Sequence, residues 1–262
     1  MFQVFSAMAE TGQAIDRSGA GELRAVEIGQ VLALLREGEI ELRGLLPWGS
    51  NYTFLVTVRC PDLAVLAVYK PQRGEAPLWD FPSGTLCLRE MASYLVSQML
   101  GWPLIPPTVL RDGPHGLGTV QMYIDCDREA NYFTFHEERR RDLLPIALFD
   151  LIANNADRKG GHCLLGRDGR IWAVDHGLTF HVQRKLRTVI WDFQGQSIPA
   201  RYLRDLQALR DRLCAGGEER QVLEQLLSDE EIRAFILRIE HLLRVRRFPE
   251  PGPGRHYPWP PV

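Results

Sequence analysis

Apolar positions along the chain change period several times, and each change marks an element. Over residues 22–37, Leu23, Val26, Val31, Leu34 and Leu35 recur at near-helical spacing and Gly38 follows as a stop, which predicts a helix. The period then shortens. Residues 40–46, 52–58 and 63–69 are short β-branched or alternating runs, separated by Pro47-Trp48-Gly49-Ser50-Asn51 and by Cys60-Pro61-Asp62, and they predict an antiparallel three-strand meander. After a Pro/Gly-rich loop, residues 86–100 read as an amphipathic helix ended by Gly101. Val109-Leu110 and residues 119–124 extend the sheet, with Asp112-Gly113, Gly116 and Gly118 making the turn. An apolar helix is predicted over 143–153, and a hairpin where 163–165 and 171–174 flank Asp168-Gly169. Helices follow over 200–213, 218–227 and 229–244, and the proline-rich stretch 249–262 should hold neither helix nor strand.

This order predicts an α+β chain of two lobes. A small antiparallel β-rich N-lobe with one helix precedes a mainly helical C-lobe, with a cleft near residues 124–127. The expected divisions are a flexible N-terminus at 1–21, an N-lobe at 22–124, a C-lobe at 125–248 and a Pro-rich tail at 249–262.

Composition narrows the class. With 262 residues, 45% hydrophobic and 24% charged, the chain can bury a sizeable core. A formal net charge of −2 supplies no global field for nucleic acid or an anionic membrane. The five cysteines (Cys60, Cys87, Cys126, Cys163, Cys214) are scattered and odd in number, as expected of reduced thiols in a cytoplasmic protein. Neither a secretory leader nor a membrane-spanning run is expected. Oligomeric state is not legible.

The candidate chemistry lies in Asn155-Ala156-Asp157-Arg158-Lys159-Gly160-Gly161-His162 and Val174-Asp175-His176-Gly177. One carboxylate can accept the hydrogen bond of a hydroxyl while another ligates a metal bridging phosphates. Two aspartates left together would repel, and a divalent ion neutralises them. The alternative is that Arg158 pairs with one of them. Lys70, ending an apolar strand, is either an exposed edge residue or a cation kept charged by a partner, for which Glu90 on the next helix is the natural choice. The turn Gly49-Ser50-Asn51 can bring backbone N–H groups to an anion, or be only a turn. Trp48 at its tip can cover a nucleotide. Residues 180–194 should border an acceptor, where Arg184, Lys185 and Arg187 either attract an anion or face solvent. Arg139-Arg140-Arg141 reads as a solvated face.

In order and content these pieces resemble the phosphatidylinositol 3-/4-kinase-like branch of the protein-kinase-like superfamily. They are especially similar to an uncharacterised actinobacterial family, and distantly to HipA-type serine kinases. Carrying the likeness are Gly49-Ser50-Asn51, Val68-Tyr69-Lys70-Pro71, Arg89-Glu90, Ala156-Asp157-Arg158 and Val174-Asp175-His176-Gly177, over roughly residues 39–200. The resemblance implies a bilobal protein-kinase-like fold with ATP and Mg2+ as cofactors. In it Lys70 contacts the α/β-phosphates and pairs with Glu90, Gln121, Met122 and Tyr123 form the adenine-binding hinge, Asp157 is the catalytic carboxylate and Asp175 binds the metal. The family's second metal ligand, an asparagine, is replaced here by His162. That substitution admits Mn2+, with Asn154 or Asn155 as possible substitutes.

Three functions follow as expectations. The first is an ATP-dependent kinase acting on a hydroxyl of a protein or small molecule, with a phosphoinositide acceptor less favoured by the net charge. The second is a catalytically weak, nucleotide-binding pseudokinase with a regulatory role. The third is a metal-dependent phosphoesterase built on Asp157, His162, Asp175 and His176, which has no need of Lys70, Glu90 and the 49–51 turn.

Overall fold

A computed structural model of the chain describes residues 11–13, 25–47 and 51–262. Trp48, Gly49 and Ser50 lie outside these described residues, as do residues 1–10 and 14–24, where most of the expected flexible N-terminus falls. Contacts group the chain into two units, Met1–Gly74 with Pro107–Tyr123, and Glu75–Pro106 with Ile124–Val262.

In the first unit, β1 (Thr11–Gln13) and β2 (Ala25–Glu27) form a short antiparallel ladder. Helix α1 (Ile28–Glu37) starts later than the apolar period suggests, because residues 25–27 are drawn into this ladder. The Gln30 side chain accepts from the Glu27 backbone N–H at 3.3 Å, which marks the helix start, and Gly38 N–H closes the other end on Leu34 O at 2.8 Å. The predicted meander is β3 (Glu39–Leu45), β4 (Phe54–Cys60) and β5 (Leu63–Pro71), completed by the hairpin β6 (Thr108–Gly113) and β7 (Gly116–Met122). All five strands pair antiparallel in the order β3-β4-β5-β7-β6, so the long connection places β7 beside β5. At the hairpin tip Gly116 has a φ of 91°, which favours glycine.

Strand alternation divides this sheet into two faces. Val56, Val58, Val65, Ala67, Tyr69, Val109 and Val120 are buried in the unit's core, to which α1 adds Val31, Leu32, Leu34 and Leu35. Burying each of these aliphatic side chains contributes roughly 1.5–3 kcal/mol. The opposite face carries Lys70, Thr108, Thr119 and Gln121, with Gln121 Nε2 donating to Thr108 Oγ1 at 2.9 Å.

The second unit begins with α2 (Leu86–Met99), whose first free N–H groups, at Leu86 and Cys87, donate to the Glu75 carboxylate at 3.1 and 2.9 Å. Chain order alone assigns α2 to the first lobe; its contacts assign it to the second unit. The physical reason is Arg89, 1% exposed, which ion-pairs with Glu231 and donates to Thr179 O at 2.7 Å. There follow α3 (Tyr132–Phe135), α4 (Arg140–Ala153), the hairpin β8 (Cys163–Leu165) and β9 (Ile171–Ala173), then α5 (Ala200–Cys214), α6 (Glu218–Glu224) and α7 (Asp229–Val245). Ser228 and Glu231 cap α7 reciprocally, at 3.3 and 2.9 Å. Residues 249–262 have no helix or strand, yet they are anchored: Gly160 N–H donates to Pro261 O at 2.8 Å and Thr188 N–H to His256 O at 3.1 Å. Among the described residues no helix is long and apolar enough to cross a membrane.

Candidate active site

The apolar helix α4 ends at Asn154, which takes a left-handed turn (φ 53°) and launches the 154–162 loop. Both asparagines build that loop. Asn154 Nδ2 donates to the carbonyls of His181 and Gln183 at 2.9 and 2.7 Å, and its Oδ1 accepts from Lys185 N–H at 2.9 Å. Asn155 spans from Asp150 Oδ1 (2.9 Å) to the Asp157 N–H (3.0 Å). Both amides thus serve to build the loop, each oxygen accepting one backbone N–H.

The loop is pinned by Arg158, whose side chain is 0% exposed. Its Nε and Nη2 donate to the fully buried Asp150 carboxylate at 3.0 Å, and Thr188 Oγ1 donates to the same carboxylate at 3.3 Å. Nη1 reaches Val174 O at 2.8 Å, and Nη2 lies 2.6 Å from His176 Nε2. A guanidinium has only donors, so this contact assigns His176 Nε2 as acceptor and its proton to Nδ1. The suggestion that Arg158 neutralises Asp157 or Asp175 is corrected: its partner is Asp150, on α4. One buried cation thus ties the loop carrying Asp157 to the strand end carrying Asp175.

The Asp157 carboxylate lies near Lys159, while Arg158 is engaged by Asp150. Burial pushes the Asp157 carboxyl up to about 6; the Lys159 charge opposes this, the Asp175 charge adds to it, and Arg187 opposes it again more weakly. Lys159 Nζ lies 3.5 Å from Asp157 Oδ2. Asp175, half exposed, adopts a φ of 60°, a left-handed conformation tolerated by aspartate but strained for most side chains. His162 joins the two segments: Nδ1 is 3.0 Å from Asp157 O and Nε2 is 3.3 Å from Asp175 Oδ2. That separation is close enough for one cation to be shared by His162 and Asp175. Among the described residues no group of three His, Cys, Asp or Glu side chains forms a cation site. Asp175 offers the single carboxylate that magnesium commonly takes beside phosphate oxygens and water, whereas the His162 imidazole suits manganese better.

The remaining sequence candidates are distributed over both units. Lys70 lies in β5 opposite Thr119, in the first unit, while Glu90, 2% exposed, lies on α2 in the second. Gln121 and Met122 belong to β7. The Met122 and Tyr123 N–H groups donate within the fold, to Pro107 O at 2.8 Å and Leu66 O at 2.9 Å. Of the nucleotide turn, only Asn51 is among the described residues. Three contributors escaped the sequence reading: Asp150, Lys159 and Arg187 as a neighbour of Asp157. Asp150 did leave a signal, a single carboxylate near the end of an otherwise apolar helix.

No protein-family model matches the chain. Among solved structures, that of the Golgi casein kinase superposes with a TM-score of 0.51 at 15% identity, over 83% of this chain and 73% of that one. The Helicobacter pylori proinflammatory kinase CtkA gives a TM-score of 0.48 at 11% identity, over 81% and 94% of the two chains. Hydra Fam20, solved with sugar, gives 0.49 at 13% identity, over 83% and 87%. The first of these supports a kinase-like fold, an antiparallel sheet in the N-terminal region and helices in the C-terminal region. In sequence, Protein Rv2133c of Mycobacterium tuberculosis (strain ATCC 25618 / H37Rv) is 38% identical over 264 residues, covering 87% of this chain and 94% of the relative. With that identity along nearly the whole of both proteins, the chain belongs to the family of Rv2133c.

Proposed function

We propose that the chain is an ATP-dependent phosphotransferase that moves the γ-phosphoryl group to a hydroxyl of a protein or small-molecule acceptor in the cytoplasm. The observation that carries this reading is Asp157 itself. It is a largely buried carboxylate on a loop held by the Arg158–Asp150 clamp and joined through His162 to a second aspartate, on a kinase-like fold, and burial raises its pKa. A positioned carboxylate within hydrogen-bond reach of a hydroxyl suits removal of its proton.

In this reading Asp157 orients the acceptor hydroxyl and receives its proton. Asp175 and His162 would hold Mg2+ or Mn2+, which supplies neutralisation of phosphate charge. Lys70 takes the α/β-phosphate role with Glu90 as its partner, Gly49, Ser50 and Asn51 cradle the phosphates, and Gln121, Met122 and Tyr123 serve adenine. Positioning of this kind accounts for about 7–11 kcal/mol in well-oriented reactions. The five free cysteines favour a reducing compartment. The motif order supports descent shared with phosphatidylinositol 3-/4-kinase-like enzymes, while the net charge of −2 favours a soluble acceptor over a phosphoinositide.

The test is incubation with γ-labelled ATP and Mg2+ or Mn2+, comparing the native chain with Asp157→Asn. Label transfer or release is expected from the native chain and is lost in the variant, while nucleotide-dependent thermal stabilisation persists. Equal activity in both rejects the reading. A second reading, a nucleotide-binding pseudokinase, is favoured by the contact of His162 with Asp175 where the related pattern has asparagine. It predicts thermal stabilisation by ATP without any γ-phosphate release.

A further inference from the structure

The segment after the Asp175 turn returns alongside the 154–162 loop. Arg187 N–H donates to Asn155 O at 2.9 Å, Arg158 N–H to Arg187 O at 3.0 Å, and Val189 N–H to Arg158 O at 3.1 Å. These bonds make Arg158 and Thr188 partners in a parallel bridge. Partners in such a bridge project to the same side, and neighbours along each segment alternate. Arg158 and Thr188 both reach the buried Asp150 carboxylate. Asp157 and Arg187, one residue earlier in each segment, therefore share the other side. The Arg187 charge acts on the Asp157 carboxyl, consistent with that placement.

The Arg187 side chain is only partly exposed, and among the described residues its buried Nε has no hydrogen-bond partner. Its backbone is fixed by two hydrogen bonds to the catalytic loop, so the position is rigid while a donor remains unused. A partly exposed guanidinium whose buried Nε donor is unpaired suits an oxyanion with several acceptor oxygens, such as a phosphoryl group. Lys159, 3.5 Å from Asp157, supplies a second cation on the same carboxylate.

We propose that Arg187 is a catalytic residue that binds the non-bridging oxygens of the γ-phosphoryl group during transfer, an inference that rests on the phosphotransfer reading above. In that step the bond from γ-phosphorus to the β–γ bridging oxygen breaks, with its electron pair leaving on ADP. The acceptor oxygen bonds to phosphorus, and its proton passes to Asp157. Negative charge spreads over the oxygens in flight, where a fixed guanidinium stabilises it most.

The test compares native protein with Arg187→Met and Arg187→Lys, using labelled ATP and Mg2+ and following ADP formation with water as acceptor of last resort. Arg187→Met should lower kcat by on the order of a hundredfold or more, as for other transfer-assisting arginines. KM for ATP and the ATP-dependent thermal shift should stay near native. Arg187→Lys, keeping charge without the planar fork, should recover roughly a tenth of native activity. If the methionine variant fails to fold, the lysine variant carries the test and must still lose about tenfold. Near-native kcat in the folded variants overturns the proposal and leaves the phosphotransfer reading intact. Loss of ATP-dependent stabilisation along with activity also overturns it, because Arg187 would then serve nucleotide binding. A native chain that forms no ADP sinks both.

Discussion

At the scale of single residues, Arg158 and Asp157 divide the labour of one short loop. Arg158 is neutralised by Asp150 and spends its remaining donors on the carbonyl of Val174 and on His176. Asp157 is left with an unfavourable environment: burial and the nearby Asp175 raise its pKa above the ordinary 3.8, to about 6. A carboxyl whose folded pKa exceeds its unfolded value binds its proton more tightly in the folded state. The stability it contributes is full below pH 3.8 and is lost as pH rises through about 6. Asp157→Asn, which removes the charge, should therefore raise the Tm at pH 7.5 by several degrees in chelator-treated buffer, corresponding to roughly 2–3 kcal/mol. The gain should shrink towards zero at pH 4. A variant less stable than native at pH 7.5 would show that burial is not what governs this side chain. The aspartates themselves were visible in the sequence as paired acidic motifs. Their partners were not, because Asp150 lies eight positions before Arg158 on an apolar helix and only the turn at Asn154 folds it back.

The elements tell a similar story about α2. Its boundaries follow from the apolar pattern and from Gly101, which adopts the left-handed φ of 66° after the helix ends. Its allegiance does not, since the Arg89–Glu231 pair joins residues far apart in the chain. Breaking a buried ion pair from one side strands the other charge, at a cost of about 3–5 kcal/mol. Arg89→Met should thus destabilise the protein by about 3 kcal/mol in urea unfolding, while Arg89→Met combined with Glu231→Gln should recover part of that loss. Strict additivity of the two single variants would rule out the coupling. The proline-rich stretch 249–262 was expected to lack regular structure and does, but composition gave no hint that its carbonyls receive the N–H groups of Gly160 and Thr188.

For the molecule as a whole, the cysteines report on packing in both units. Cys60 and Cys214 are exposed, whereas Cys87 and Cys163 are buried, and burial pushes each of those two thiols up to about 12. A thiol reagent at pH 7.5 should modify Cys60 and Cys214 in the native protein and leave Cys87 and Cys163 intact until denaturant is added, as peptide mass analysis can check. Rapid native labelling of Cys163 would contradict the packing of β8 behind the candidate site.

Local patterning was enough to determine the five strands of the sheet, their hairpin and the long helices from 86 onward, though not the short α3, because period and turn residues act over a few neighbouring positions. It could not determine that α2 joins the second unit or that Arg158 turns inward to Asp150. Nor could it show that Asn154 and Asn155 are consumed in building the loop, or that Arg187 shares a side with Asp157. Those outcomes depend on burial and hydrogen-bond geometry between segments distant in sequence, and only the packed structure decides which donor meets which acceptor.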